Sequence, residues 1–224
     1  KSPVIVLKDA DIDQAIQGAA QAVFFNTGQV CCAGTRLYVH ESIFDQVVQG
    51  VSEAANGMTL AAGTDQQCQM GPLISAKQQQ RVCSYIDTAV EQGARVLCGG
   101  KAAEGQGYFV EPTVLVGAAQ SSKVVQEEVF GPVLVAIPFS DLDEVAALAN
   151  DTEYGLGASI WSNNLSEVHQ LIPQIRAGSV WVNCHSALDN SLPFGGYKQS
   201  GMGRELGDSA IEHYTEAKSV MMIV

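Results

Sequence analysis

Among the six cysteines, at positions 31, 32, 68, 83, 98 and 184, there is no C-x-x-C pair. That spacing offers no zinc cage, so no metal site is expected. Only Cys31 and Cys32 are close together, and vicinal thiols rarely bridge each other. No apolar run approaches the roughly 18 residues of a membrane helix. Basic residues are scarce: 12 Lys and Arg stand against 24 Asp and Glu, for a net charge of −12. A chain so acidic lacks the footprint for nucleic acid or for anionic membranes. The four histidines are scattered, and none lies beside Cys31 in sequence. There is no internal repeat and no low-complexity segment. The chain begins Lys1-Ser2-Pro3, without initiator Met or signal-peptide pattern, and reads as if cut from something longer. Scattered cysteines of this kind suit a reduced, cytoplasmic protein, most of them as small buried hydrophobes.

With 224 residues, 46% of them hydrophobic, the chain can build a full core as one large domain or as one domain with small appendages. Pro3 to Leu7 reads as a buried strand. Asp11 can cap a helix whose apolar residues, Ile12, Ala15, Ile16, Ala19, Ala20, Val23 and Phe24, follow helical spacing without a miss. Gly28 stops it, and a strand over 36–40 follows the Cys31 turn. A second helix is predicted from Ser42, with Asp45 completing a capping box. A third opens at Ser75 and closes at Gly93. Strands follow at 95–98, 109–116 (interrupted by Pro112), 133–138, 157–161 and 179–183. Helices fall at 122–126, 142–150 and 165–176, the last bent at Pro173. A Gly-rich loop over 192–207, a short helix over 208–214 and a final strand over 219–224 complete the chain. Alternating strands and helices predict an α/β fold: a Rossmann-like, mostly parallel twisted sheet with helices on both faces. The last strand, exposed and terminal, predicts oligomerisation.

Three stretches carry candidate chemistry. The first, Phe24-Phe25-Asn26-Thr27-Gly28-Gln29-Val30-Cys31-Cys32-Ala33-Gly34, is a helix-to-strand turn expected at the carboxyl edge of the sheet, where such folds place ligands. Cys31 lies among small polar residues. It is either a structural thiol or a nucleophile that attacks a carbonyl. The second is Glu127-Glu128-Val129-Phe130-Gly131-Pro132. Its carboxylates are either a solvated pair or a grip on ribose hydroxyls. The third is the loop over 192–207, a pocket wall lined by Phe194 or a mobile surface loop. Its Gly-x-Gly is a weak phosphate fingerprint, because no strand feeds directly into it. Asn183, at a strand end, is placed to support the Cys31 turn by hydrogen bonds. His185 reads as a loop residue rather than a base.

Taken together, FFNTGQVCCAGTR, QEEVFGPV, NDTEYGLGASIWS, GSVWVN and LPFGGYKQSGMGRELG resemble the hallmark stretches of the NAD(P)-dependent aldehyde dehydrogenase superfamily, in the family's order along nearly the whole chain. The resemblance implies that Cys31 is the nucleophile, with its backbone amide helping to hold the oxyanion. It implies Glu128 on the nicotinamide-side ribose, Phe130 beside that ribose and the nicotinamide, and Gln78 and Arg81 near the adenine-side ribose. Asn183, Phe194 and Cys32 would line or buttress the substrate pocket. The cofactor would be NAD or NADP. Residues 1–199 resemble the catalytic domain. Residues 200–214 resemble a segment that returns to a cofactor domain, and 215–224 an oligomerisation arm joining a dimer or tetramer. The family's general-base glutamate belongs to a Glu-Leu-Gly-Gly stretch just before Lys1, so these 224 residues alone are expected not to turn over aldehyde. The loop from His185 to Asn190 resembles that of bacterial enzymes acting on arylacetaldehydes. Two rivals stay open: a non-catalytic self-associating module, and the acylating branch in which coenzyme A attacks the thioester.

Overall fold

Residues 1–224 are described by a computed structural model. The strand β1 (Pro3–Val6) is apolar at every position because both of its sides are covered. Val4 and Val6 face one helical layer, Ile5 and Leu7 the other. Asp11 caps α1 (Ile12–Phe24) by accepting from the Gln14 N–H. The strand β2 (Arg36–His40) then pairs with β1 in parallel. After it come α2 (Phe44–Asn56), α3 (Ala76–Glu91), β3 (Arg95–Cys98), β4 (Thr113–Val116), the short α4 (Lys123–Gln126), β5 (Val133–Phe139) and α5 (Leu142–Asn150). The remainder comprises β6 (Tyr154–Gly155), β7 (Gly157–Trp161), α6 (Leu165–Leu171), β8 (Ser179–Val182) and β9 (Tyr197–Lys198).

Seven strands form one sheet in the order β3-β4-β5-β2-β1-β7-β8, parallel except for β3 against β4. The helices α1 and α2 cover one face; α5 and α6 cover part of the other, and α3 and α4 cover the rest. The α/β expectation holds, with helices on both faces. A separate ribbon of β6 and β9, which propensity did not signal, ties the Gly-rich loop to the body. No helix is long and apolar enough to cross a membrane.

Several local expectations need correction. The chain leaves the carboxyl end of β1 into α1, which runs back before the parallel β2 begins. The Cys31 turn therefore lies at the amino edge of the sheet, not the carboxyl edge. The proposed Ser42 capping box is absent. His40 Nδ1 accepts the Ser42 N–H instead, a single 3-10 turn over 41–43 intervenes, and α2 starts without a side-chain cap. The helix at 165 gives way at Leu171 to a 3-10 turn carrying Pro173, which has no N–H to continue the ladder. The segment over 208–214 is a 3-10 helix. Residues 219–224 form no strand within the chain, since no neighbour offers them a ladder, and they stay exposed.

Candidate active site

The turn that carries Cys31 is built from unusual backbone. Asn26, Thr27 and Gly28 all have left-handed φ, at 49°, 61° and 68°. Such a conformation in a β-branched Thr persists only where surrounding contacts impose it. Those contacts are present. Asn26 Nδ2 donates to Gln29 O, Thr27 Oγ1 donates to Gly71 O, and Gln29 Oε1 accepts the Ile74 N–H. The Gly-Gln pair thus fastens the turn to the loop before α3. A Cβ on Gly28 would lie 2.1 Å from Gly131 O, so this glycine lets the Cys31 turn press against the Phe130-Gly131 segment. Sequence positions a hundred residues apart meet there.

Cys31 is exposed and Cys32 is buried, with 4% of its surface open. Burial pushes the Cys32 thiol above its ordinary range. Its sulfur lies 3.3 Å from Ser186 Oγ. A thiolate is the attacking form, and burial disfavours it at Cys32, while Cys31 is open to solvent. The Val30 carbonyl accepts the Ala33 N–H at 3.0 Å, making Cys31 and Cys32 the centre of a turn. The Cys31 N–H has no acceptor within the chain.

Cys31 shares a small hollow with Lys1, Glu128 and Phe130. Glu128 is exposed and joins neither of the two ion pairs in the protein. Three neighbours hold this segment. Arg81 Nη2 donates to Glu128 O at 2.8 Å, and Gln78 Nε2 donates to Val129 O and Phe130 O. Lys1 Nζ donates to Val124 O just upstream. Burial beside the Arg36 guanidinium lowers the Lys1 ammonium pKa to about 7. Gln78 and Arg81, expected beside a ribose, thus grip the backbone that presents Glu128. A carboxylate without an ion pair, next to an aromatic ring and a thiol, can accept hydrogen bonds donated by the hydroxyls of a ribose.

A cleft of about 480 Å³ opens on the other side of the turn. It is lined from α1 by Gln17, Gly18 and Gln21, and by Phe25, Val30 and Asn183. No charged side chain lines it. A Cβ on Gly18 would strike the Trp161 ring at 2.1 Å, so the glycine admits that indole against α1. Asn183 reaches this cleft, but its amide bonds go to the Ser162 N–H and carbonyl, not to the Cys31 turn. The support expected of Asn183 comes instead from the loop residue His185. Its Nε2 lies 2.8 Å from Cys32 O and its Nδ1 2.9 Å from Ser159 Oγ. Nothing in sequence links residues 32 and 185; only the fold does. Phe194 lines a third hollow of about 330 Å³ inside the Gly-rich loop, apart from both Cys31 and the cleft.

The family model described as the aldehyde dehydrogenase family matches residues 1–220. Over 224 residues the chain is 49% identical to a phenylacetaldehyde dehydrogenase of Pseudomonas fluorescens, covering 99% of this chain and 45% of that protein. It is 44% identical to a betaine aldehyde dehydrogenase of Brucella melitensis, covering 98% of this chain and 46% of that protein. The NAD+ complex of an aldehyde dehydrogenase from Bacillus cereus superposes with a TM-score of 0.96 at 46% identity, over 98% of this chain and 45% of that one. The chain thus spans about half the length of these relatives, and over that half the chain belongs to the aldehyde dehydrogenase family.

Proposed function

We propose that these residues form the catalytic half of an NAD(P)-dependent aldehyde dehydrogenase, in which Cys31 adds to the aldehyde carbonyl. The observation that carries this is one exposed thiol at a strained turn, between a carboxylate-and-aromatic hollow and an uncharged cleft. The thiolate attacks the carbonyl carbon and the oxygen becomes an anion. The free Cys31 N–H is a donor for that oxygen, an interaction worth roughly 3–4 kcal/mol in such sites. A bound nicotinamide supplies the hydride acceptor, and Glu128 and Phe130 are the residues that would hold its ribose and ring. The cysteine is left as a thioester, from which sulfur departs readily when water attacks. Both nitrogens of His185 are engaged elsewhere, so it is not the base for that water. We propose accordingly that the 224 residues alone do not sustain turnover. We also assign 1–199 to catalysis, 200–214 to contact with a cofactor domain and 215–224 to self-association, in a cytoplasmic protein with reduced cysteines.

The uncharged lining of the cleft favours a small neutral aldehyde, arylacetaldehydes among them, over a quaternary ammonium aldehyde. Phe25, 64% exposed beside Val30, offers an aromatic surface there. Limiting iodoacetamide followed by peptide mapping tests both points. Cys31 is expected to label first, and phenylacetaldehyde to protect it by reversible thiohemiacetal formation better than betaine aldehyde does. Faster labelling of Cys32, or equal protection by both aldehydes, would overturn the respective assignment. Steady NADH formation by the 224-residue chain would refute the inactivity proposal.

A further inference from the structure

Cys32 O is an acceptor only, so the His185 Nε2 at 2.8 Å must carry the proton. Burial holds the imidazole pKa below its usual value and so favours the neutral ring. In that tautomer Nδ1 is an acceptor, and the Ser159 hydroxyl at 2.9 Å donates to it. Trp181 packs against the ring at a 49° tilt, 5.0 Å between centroids, and its own Nε1 donates to Ala187 O and anchors the loop.

From the ring the bonds continue through two rigid peptide planes. Cys32 O and Ala33 N–H belong to one peptide unit. The Ala33 N–H donates to Val30 O at 3.0 Å, and Val30 O shares the next unit with the Cys31 N–H. Every donor in the series points the same way, from Ser159 through His185, Ala33 and Val30 to Cys31. The last N–H in the series is the one without an acceptor. Chains of this kind polarise successive bonds and fix their orientation.

We infer that His185 is a positioning residue for the Cys31 reaction: with Ser159 behind it, it orients and polarises the Cys31 N–H toward the oxygen of a carbonyl under attack. The inference rests on Cys31 being the nucleophile. It assigns a role that no neighbouring sequence motif marks.

The probe is p-nitrophenyl acetate, applied to the 224-residue chain. The Cys31 thiolate bonds to the acetyl carbon, the ester C–O bond breaks, p-nitrophenolate leaves with the electron pair, and the thiol proton goes to solvent. Iodoacetamide is the companion reagent, because its displacement at a saturated carbon develops no oxyanion. His185→Ala is expected to slow Cys31 acylation about tenfold while changing Cys31 alkylation less than about twofold. His185→Gln, whose Nε2 can donate to Cys32 O, is expected to return acylation to within about threefold of the parent. Equal slowing of both reactions, no slowing of acylation, or a glutamine variant no better than alanine would overturn the inference. If the alanine variant fails to fold, Ser159→Ala takes its place, since it keeps the ring and removes the donor behind it. Its acylation is expected to fall about threefold with alkylation unchanged, and a parallel or absent change overturns the inference. Failure of the parent chain to acylate at Cys31 would instead overturn the nucleophile assignment beneath it.

Discussion

Gly28 illustrates how a single residue decides whether two motifs meet. Alanine there would have to hold φ at 68° and place a methyl group within 2.1 Å of a backbone carbonyl. The left-handed strain alone costs roughly 1–2 kcal/mol, and the clash parts the Cys31 turn from Phe130. Gly28→Ala is expected to lower unfolding stability by about 2 kcal/mol or more in urea titration. Gly63→Ala, with nothing within 4 Å and no left-handed φ, should stay within about 0.5 kcal/mol. A second residue-scale effect belongs to His185. Its folded-state pKa lies below the unfolded value, so the unfolded chain binds more protons as pH falls through the ordinary imidazole range. Stability from this group is therefore complete above about pH 6.5 and declines below it, by at most about 1.4 kcal/mol per pH unit. No carboxylate or cation bonds the ring; its partners are Ser159, the Cys32 carbonyl and Trp181. Urea midpoints at pH 7 and pH 5 should differ more for the parent than for His185→Gln. An equal difference would refute this account.

At the scale of elements, Arg36 joins what the chain leaves apart. It opens β2, is 0% exposed, and has no carboxylate partner. Its Nε donates to Lys1 O. Its Nη1 and Nη2 donate to Leu148 O and Ala149 O at the end of α5, where the helix dipole is negative. Tyr38 and Gln120 extend the network to Leu148 O, and Gln126 carries it to Asp151. A buried cation is thus neutralised by helix-end carbonyls, an arrangement that fixes β1, β2 and α5 together. Arg36→Met removes the guanidinium donor from the Lys1 and Ala149 carbonyls, while Leu148 O keeps Tyr38 and Gln120, so a loss of about 3 kcal/mol or more is expected by urea titration. A change below about 1 kcal/mol would show that water replaces the guanidinium. The elements themselves were legible in sequence where one physical rule dominates. The stripe of α1, the helix start at Ser75 and the buried β1 all stand where periodicity and capping put them. Illegible were features set by tertiary contact. These include the edge of the sheet on which Cys31 stands, the pairing of β6 with β9, and the recruitment of His185 in place of Asn183. Gln78 and Arg81, expected near a ribose from the resemblance, find their backbone acceptors only through the approach of the Glu128 segment.

Across the whole molecule, a net charge of −12 coexists with an apolar tail that stays exposed. Met221 and Ile223 are 91% and 92% exposed, and the segment from Val220 to Val224 is apolar throughout. Self-repulsion of the acidic body opposes association, while burial of this tail favours it by about 25 cal/mol for each Å² covered. Five large side chains outweigh a repulsion that salt screens within about 10 Å. An extended tail with free backbone groups is best satisfied as a strand added to another copy's sheet edge. The chain is therefore expected to sediment as a dimer or larger at micromolar concentration, and added salt should strengthen the association by screening the bodies. Met221→Asp combined with Ile223→Asp places two charges on the buried strand and should return the chain to a monomer, with Cys31 labelling unchanged because the tail lies apart from the turn. A monomeric parent, or a double variant that sediments like the parent, would assign the tail no part in assembly. Dissociation by salt would show instead that charged groups, not the tail, hold the copies together.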